Sequence, residues 1–161
     1  MDRAGRARLQ WQAERPDIDS DSMKLFGRIA QLNQLTFQHV LTPFFSEHGL
    51  QSGEFDVLAT LRRSGAPYSL TPTEMYEDAL ISSGSMTNRI NRLTNAGLVK
   101  RSENPQDKRG VFVTLTNKGF NLIDGLMVQH VENLKKVLSP LDEQEKEQLG
   151  NILLSLIKGF D

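Results

Sequence analysis

Apolar residues in this chain recur mostly at spacings of three and four, the period of a helix buried along one side. Residues 3–14 predict a short helix carrying the only tryptophan, Trp11, and Arg15-Pro16-Asp17 breaks it. From about Asp21 to His48, the positions Met23, Phe26, Ile29, Ala30, Leu35, Val40, Leu41, Phe44 and Phe45 predict one long helix. Pro43 is expected to kink it and Gly49 to end it. Ser52 is placed to cap the next helix, Gly53 to Arg63, with Phe55, Leu58 and Leu61 inward. After a loop at 64–67, Thr71, Pro72 and Glu74 form a capping box with proline at the first helical position. A second short helix is expected from near Ser82, on the buried stripe Met86, Ile90 and Leu93, and Gly97 suits its left-handed end.

The pattern then changes. Leu98 to Arg101 and Val111 to Leu115 read as two strands around a turn-rich loop, Ser102 to Gly110. Thr116 caps a long helix to about Leu138, striped by Ile123, Met127, Val131, Leu134 and Leu138. Ser139-Pro140 interrupts it, and Asp142 with Glu145 opens a last helix striped by Leu149, Ile152, Leu153, Leu156, Ile157 and Phe160. Two short helices followed by a basic hairpin are the order of a winged helix-turn-helix. The expected fold is mainly α with a small β-wing, a single domain over 1–161. The winged module occupies 51–115, the extra N-terminal helix 3–14, and a helical dimerisation region 21–48 and 116–161. The long helices carry more apolar face than so small a module covers, and this predicts a homodimer. A dimer sets its two recognition helices one DNA turn apart, about 34–36 Å.

Charge sharpens the picture. Ser82 to Lys118 holds seven cations against two anions, a net of +5, while the whole chain is −1 and the remainder therefore −6. One basic segment in a near-neutral protein fits a local phosphate-binding surface on double-stranded DNA. On the second helix Ser83, Ser85, Thr87 and Asn88 can meet base edges or nearby phosphates, and Arg92 a phosphate. Lys108 and Arg109 stand at the hairpin tip, Arg109 suited to a narrow minor groove.

Composition limits the alternatives. The chain has 161 residues, 38% hydrophobic and 24% charged, enough for a real core. Zero cysteine excludes a disulfide framework, a zinc-thiolate site and a thiol switch, and fits a cytoplasmic location. No apolar run is long enough to span a bilayer. Arg3, Arg6 and Arg8 hint at a transit peptide, but the acidic stretch Asp17 to Asp21 favours a short amphipathic helix. There is no nucleophile elbow, phosphate-cradling glycine loop or metal cluster. Ser83-Gly84-Ser85 reads as a helix start, and His39, His48 and His130 are far apart. An enzyme is therefore not expected, nor a metal or other cofactor.

The segments NRLTNAGLV at 91–99, DKR at 107–109 and TLTNKG at 114–119 resemble the MarR family of bacterial regulators, and the likeness extends over nearly the whole chain. It implies a dimer with a winged helix-turn-helix in each protomer, acting as a repressor relieved by a ligand. ERPDID at 14–19 after Trp11, EFDVLATLRR at 54–63 with GAPY at 65–68, and SGSMTNRINRL at 83–93 resemble the urate-responsive branch of that family. The resemblance implies a purine site formed by Trp11, Asp56, Arg89 and Arg101. The residues are chemically suited to it. Arg89 flanks the buried stripe three residues after Met86 and needs a partner, and Asp56 edges the core beside Phe55. Two guanidiniums can grip an oxopurine anion while an indole stacks on its ring. The competing readings are a structural ion pair with a core tryptophan, a phenolic or other aromatic anion as effector, and a DNA-independent helical interaction module or a small enzyme.

Overall fold

A computed structural model describes residues 1–79, 86–103 and 111–160. Of the described residues 74% are helical, with one small antiparallel sheet, and the chain forms two compact units, Met1–Phe44 and Phe45–Asp161.

In the first unit, α1 (Arg3–Glu14) is capped by Asp2, whose carboxylate accepts from Gly5 N–H at 2.9 Å. α2 (Ser20–Thr36) is capped by Asp19. Arg8 grips Asp21 with both ends of its fork, at 2.8 and 3.0 Å, and Arg28 reaches Asp2 at 2.8 Å, so ion pairs tie the two helices together. Arg8 and Lys24 beside Asp21 hold its carboxyl down to about 2.

The expected kink takes another form. A π-helical turn, Phe37–Leu41, follows α2 and leads into α3 (Thr42–Glu47). Thr42 N–H donates to the Phe37 carbonyl five residues back. A proline lacks the N–H and crowds the carbonyl four residues before it, so one widened turn ahead of Pro43 keeps the chain helical.

The second unit holds the winged module. α4 (Ser52–Arg63) buries Phe55, Val57, Leu58 and Leu61. Its cap is Gln51, not the expected Ser52: Gln51 N–H donates to Glu54 Oε2 at 2.7 Å. Had Ser52 capped, Phe55 would stand three residues on with no acceptor to reach back. The expected box at Thr71 is present, with Glu74 accepting from Thr71 N–H at 2.7 Å at the head of α5 (Pro72–Asp78). α6 is described over Met86–Asn95, and the expected start at Ser82 lies outside the described residues. Its stripe of Met86, Ile90 and Leu93 is buried as expected.

Three strands make the sheet where two were expected. β1 (Ser69–Leu70) pairs with β3 (Val111–Leu115), which pairs with β2 (Val99–Glu103). Ser69 faces Thr114, their hydroxyls 2.7 Å apart. β2 runs two residues beyond Arg101, to Glu103 opposite Val111.

α7 (Asn117–Leu138) starts at the expected cap, Thr116, and α8 (Glu143–Ile157) at the expected box of Asp142 and Glu145. Arg62 joins α4 to Asp124 of α7 at 2.7 Å, its guanidinium lying over Phe120 at 4.6 Å. The C-terminus of α6 is bound to the start of α7. Lys118 Nζ donates to Ala96 O at 2.8 Å, and Thr116 Oγ1 to Gly97 O at 2.7 Å. Burial fades outward along α7: Ile123 and Leu126 are buried, whereas Val131 and Leu138 are exposed, and α8 buries no residue.

His130 of α7 lies half-buried, its ring 4.7 Å from that of Phe55 and 6.0 Å from that of Phe45. Burial disfavours the imidazolium and holds its pKa below the ordinary 6.5. The unfolded chain therefore takes up this proton first as pH falls. The stability linked to His130 is complete above its unfolded pKa and is lost as pH drops toward the folded value. Melting temperature is expected to fall as pH drops below about 6.5, and to fall less in His130→Phe. Equal pH dependence of the two proteins would remove His130 from this role.

Candidate functional site

The first turn of α4 and the exposed side of α6 meet in a polar junction. Two arginines one helical turn apart on α6 reach it. The Arg89 guanidinium packs against Gly53: a Cβ there would stand 2.9 Å from Nη2 and nearer still to Nε and Cζ. Only glycine leaves that space without moving the arginine. Gly53 is one turn before Asp56, which is buried at the edge of the α4 core face. α4 thus gathers Gly53 and Asp56 on the side that meets α6, and Arg89 arrives there from the flank of its buried stripe.

The second arginine, Arg92, donates from Nε to Glu54 Oε1. Glu54 is only 3% exposed and spends its other oxygen on the Gln51 N–H, while the Arg92 side chain remains 58% exposed. Buried charge is tolerated when paired and hydrogen-bonded, which this carboxylate is on both oxygens. Tyr76 of α5 adds a third tether, its hydroxyl accepting from Met86 N–H at 3.3 Å.

The other expected residues are placed as follows. Thr87 and Asn88 are exposed on α6. Arg101 stands in the exposed run of β2, opposite Val113. Trp11 is on α1 of the first unit and 43% exposed. Ser83, Ser85, Lys108 and Arg109 lie outside the described residues. Gly53, Glu54 and Tyr76 escaped the sequence reading. The usable signal for Glu54 was its spacing of three from Gln51, read instead from Ser52. Among the described residues no group of histidine, aspartate and glutamate is arranged to hold a metal, and no helix is long and apolar enough to cross a membrane.

Comparison with known proteins agrees with this architecture. Residues 48–110, from the end of α3 through the connection between β2 and β3, match the MarR family model. The chain is 40% identical over 144 residues to the HTH-type transcriptional regulator PecS of Dickeya dadantii (strain 3937), covering 89% of this chain and 86% of that one. Its fold is similar to that of Sco3205, a MarR family transcriptional regulator from Streptomyces coelicolor solved in complex with DNA. The TM-score is 0.78 at 22% identity, over 88% of this chain and 89% of that one. It is also similar to Bordetella bronchiseptica BpsR, whose DNA binding is regulated by 6-hydroxynicotinic acid, with a TM-score of 0.72 at 21% identity over 81% and 90% of the two chains. An exposed helix tethered by two arginines to its supporting helix, a three-stranded wing and these relatives lead to one assignment: the chain belongs to the MarR family of DNA-binding transcriptional regulators and is not an enzyme.

Proposed function

We propose that this regulator is a cytoplasmic homodimeric repressor, released from a pseudo-palindromic operator by urate or a related purine anion. The observation that carries the reading is the seat of Arg89. One side chain belongs to the recognition helix and lies on the first turn of α4, a turn before the buried Asp56. An oxopurine anion entering there competes with carboxylate for the guanidinium and repels Asp56, so α6 shifts on its support. Arg101 supplies a second guanidinium and Trp11 a stacking surface. Ser83, Ser85, Thr87 and Asn88 read or approach the major groove, Arg92 binds a phosphate, and Lys108 and Arg109 reach the adjacent backbone and minor groove.

A ligand shifts this balance only by its preference for the DNA-incompetent state, and a tenfold loss of DNA affinity corresponds to about 1.4 kcal/mol of coupling. The test is a titration with urate and xanthine, following Trp11 fluorescence, melting and retention of a duplex selected from a random pool. Ligand at 100 times its dissociation constant is expected to stabilise the fold by about 2.7 kcal/mol and to release the duplex. Trp11→Phe is expected to lose the fluorescence response and weaken binding. No change in any of the three signals would remove the purine. A second reading takes a hydroxylated aromatic acid as effector, favoured by the resemblance to BpsR. The same titration with 6-hydroxynicotinate decides between them.

A further inference from the structure

Glu54 does two things with one carboxylate. Oε2 closes the cap of α4 on Gln51 N–H at 2.7 Å, and Oε1 takes the Nε proton of Arg92 on the recognition helix. The carboxylate is buried, whereas the guanidinium side is open. Leu50, Leu93, Ala96 and Leu98 wall the cleft beside the pair, and apolar walls strengthen a charged hydrogen bond. A guanidinium is a rigid plane with donors on more than one edge. With Nε committed inward, its outer edge is aimed away from Glu54, on the exposed side of the helix that carries Asn88 four residues earlier.

We propose that Glu54 is a positioning residue for DNA recognition: it anchors Arg92 from the protein interior so that the outer edge of the guanidinium meets one backbone phosphate in a fixed register. Phosphate contacts of this kind orient a recognition helix without reading sequence themselves. Losing the anchor does not remove the cation; it leaves Arg92 charged but unaimed, and it removes one negative charge from beneath it. Binding to the correct site therefore weakens while binding to unrelated duplex holds or tightens. The inference rests on the reading of Arg92 as a phosphate contact.

The experiment compares wild type, Glu54→Gln, Arg92→Ala, Arg92→Lys and the double variant Glu54→Gln/Arg92→Lys. Each is measured on a duplex selected by the wild-type protein from a random pool and on a scrambled duplex of the same length, across several salt concentrations. Glutamine keeps an oxygen for the Gln51 N–H, so the cap survives. Glu54→Gln is expected to lower the ratio of selected to scrambled affinity about tenfold, the equivalent of ~1.4 kcal/mol, with the scrambled duplex bound at least as tightly as by wild type. A lysine cannot serve Glu54 and a phosphate with two edges of one plane, so in the Arg92→Lys background the Glu54 change is expected to add nothing. Equal weakening on both duplexes, a ratio within twofold of wild type, or additive effects in the double variant would each overturn the proposal. Arg92→Ala is expected to lower the magnitude of the salt slope by about 0.9. An unchanged slope removes the phosphate contact and the inference with it, while a lowered slope beside an unchanged Glu54→Gln ratio overturns the inference alone.

Discussion

Ile152→Glu combined with Leu156→Glu is expected to yield a folded monomer that has lost at least about 100-fold in operator affinity, because the linkage of two half-site contacts is worth about 10²–10⁴. The two residues are one turn apart on α8, 59% and 49% exposed, within a helix that buries no residue of its own protomer. Leu153 and Ile157 of the same helix are exposed too, and so, elsewhere in the second unit, are Val131 and Leu138 of α7. Exposed apolar surface of this extent marks a contact site, and a two-fold interface places the two changes on both sides of it at once. Four new carboxylates in an apolar contact oppose association. Because α8 contributes nothing to the buried core, circular dichroism is expected to keep its helical signal. Sedimentation and a DNA titration check the result; a dimer that survives at micromolar concentration, or a monomer with undiminished affinity, would show that α8 is not the interface.

The second large effect is at the start of α7. Gly119→Ala is expected to cost about 3 kcal/mol of stability, the upper part of the range for overpacking a tight site. A Cβ at Gly119 would stand 2.9 Å from the Leu98 carbonyl carbon and closer still to its oxygen. That oxygen accepts from both Thr116 N–H and Thr116 Oγ1, each at 3.1 Å. The obstacle is backbone in a hydrogen-bonded junction, so it cannot swing aside as a side chain does. Gly125→Ala is the control in the same helix. Its Cβ would meet nothing within 4 Å, and replacing a mid-helix glycine by alanine is expected to stabilise by ~0.5–1 kcal/mol. Urea unfolding of the two variants gives opposite shifts if the junction is as tight as its geometry indicates, and a neutral Gly119→Ala would mean that α7 can move off Leu98.

Local chemistry was legible in the sequence where the signal and its cause are within four residues. Thr71 with Glu74, Thr116, and Asp142 with Glu145 were readable as caps because a cap is settled by side chains reaching their own first turn. The stripe of Met86, Ile90 and Leu93 was readable because helical period and burial coincide there. What escaped depends on distant partners. β1 is two residues long and exists by pairing with β3, forty-five positions away at Ser69 and Thr114. Gly53 reads as a weak helix residue until Arg89 is laid upon it. Glu54 reads as a surface charge, yet it is buried because Arg92, thirty-eight positions on, comes to meet it. Of the proposed effector site, the flanking position of Arg89 was legible from its stripe, and its resting place was not.

The bonds from Thr116 and Lys118 back to Ala96 and Gly97 also bear on how this regulator can diverge. They splice the end of the recognition helix directly to α7, and the pairing of Glu103 with Val111 closes the hairpin between them. The seven residues joining those strands are thus bounded by a base that is already fixed. Lengthening such a loop costs little, about 0.6 kcal/mol for each doubling, and none of that cost is passed to α6. Descendants of this gene can therefore revise the contacts proposed for Lys108 and Arg109 while the helix proposed to enter the major groove, and its tie to Glu54, stay as inherited.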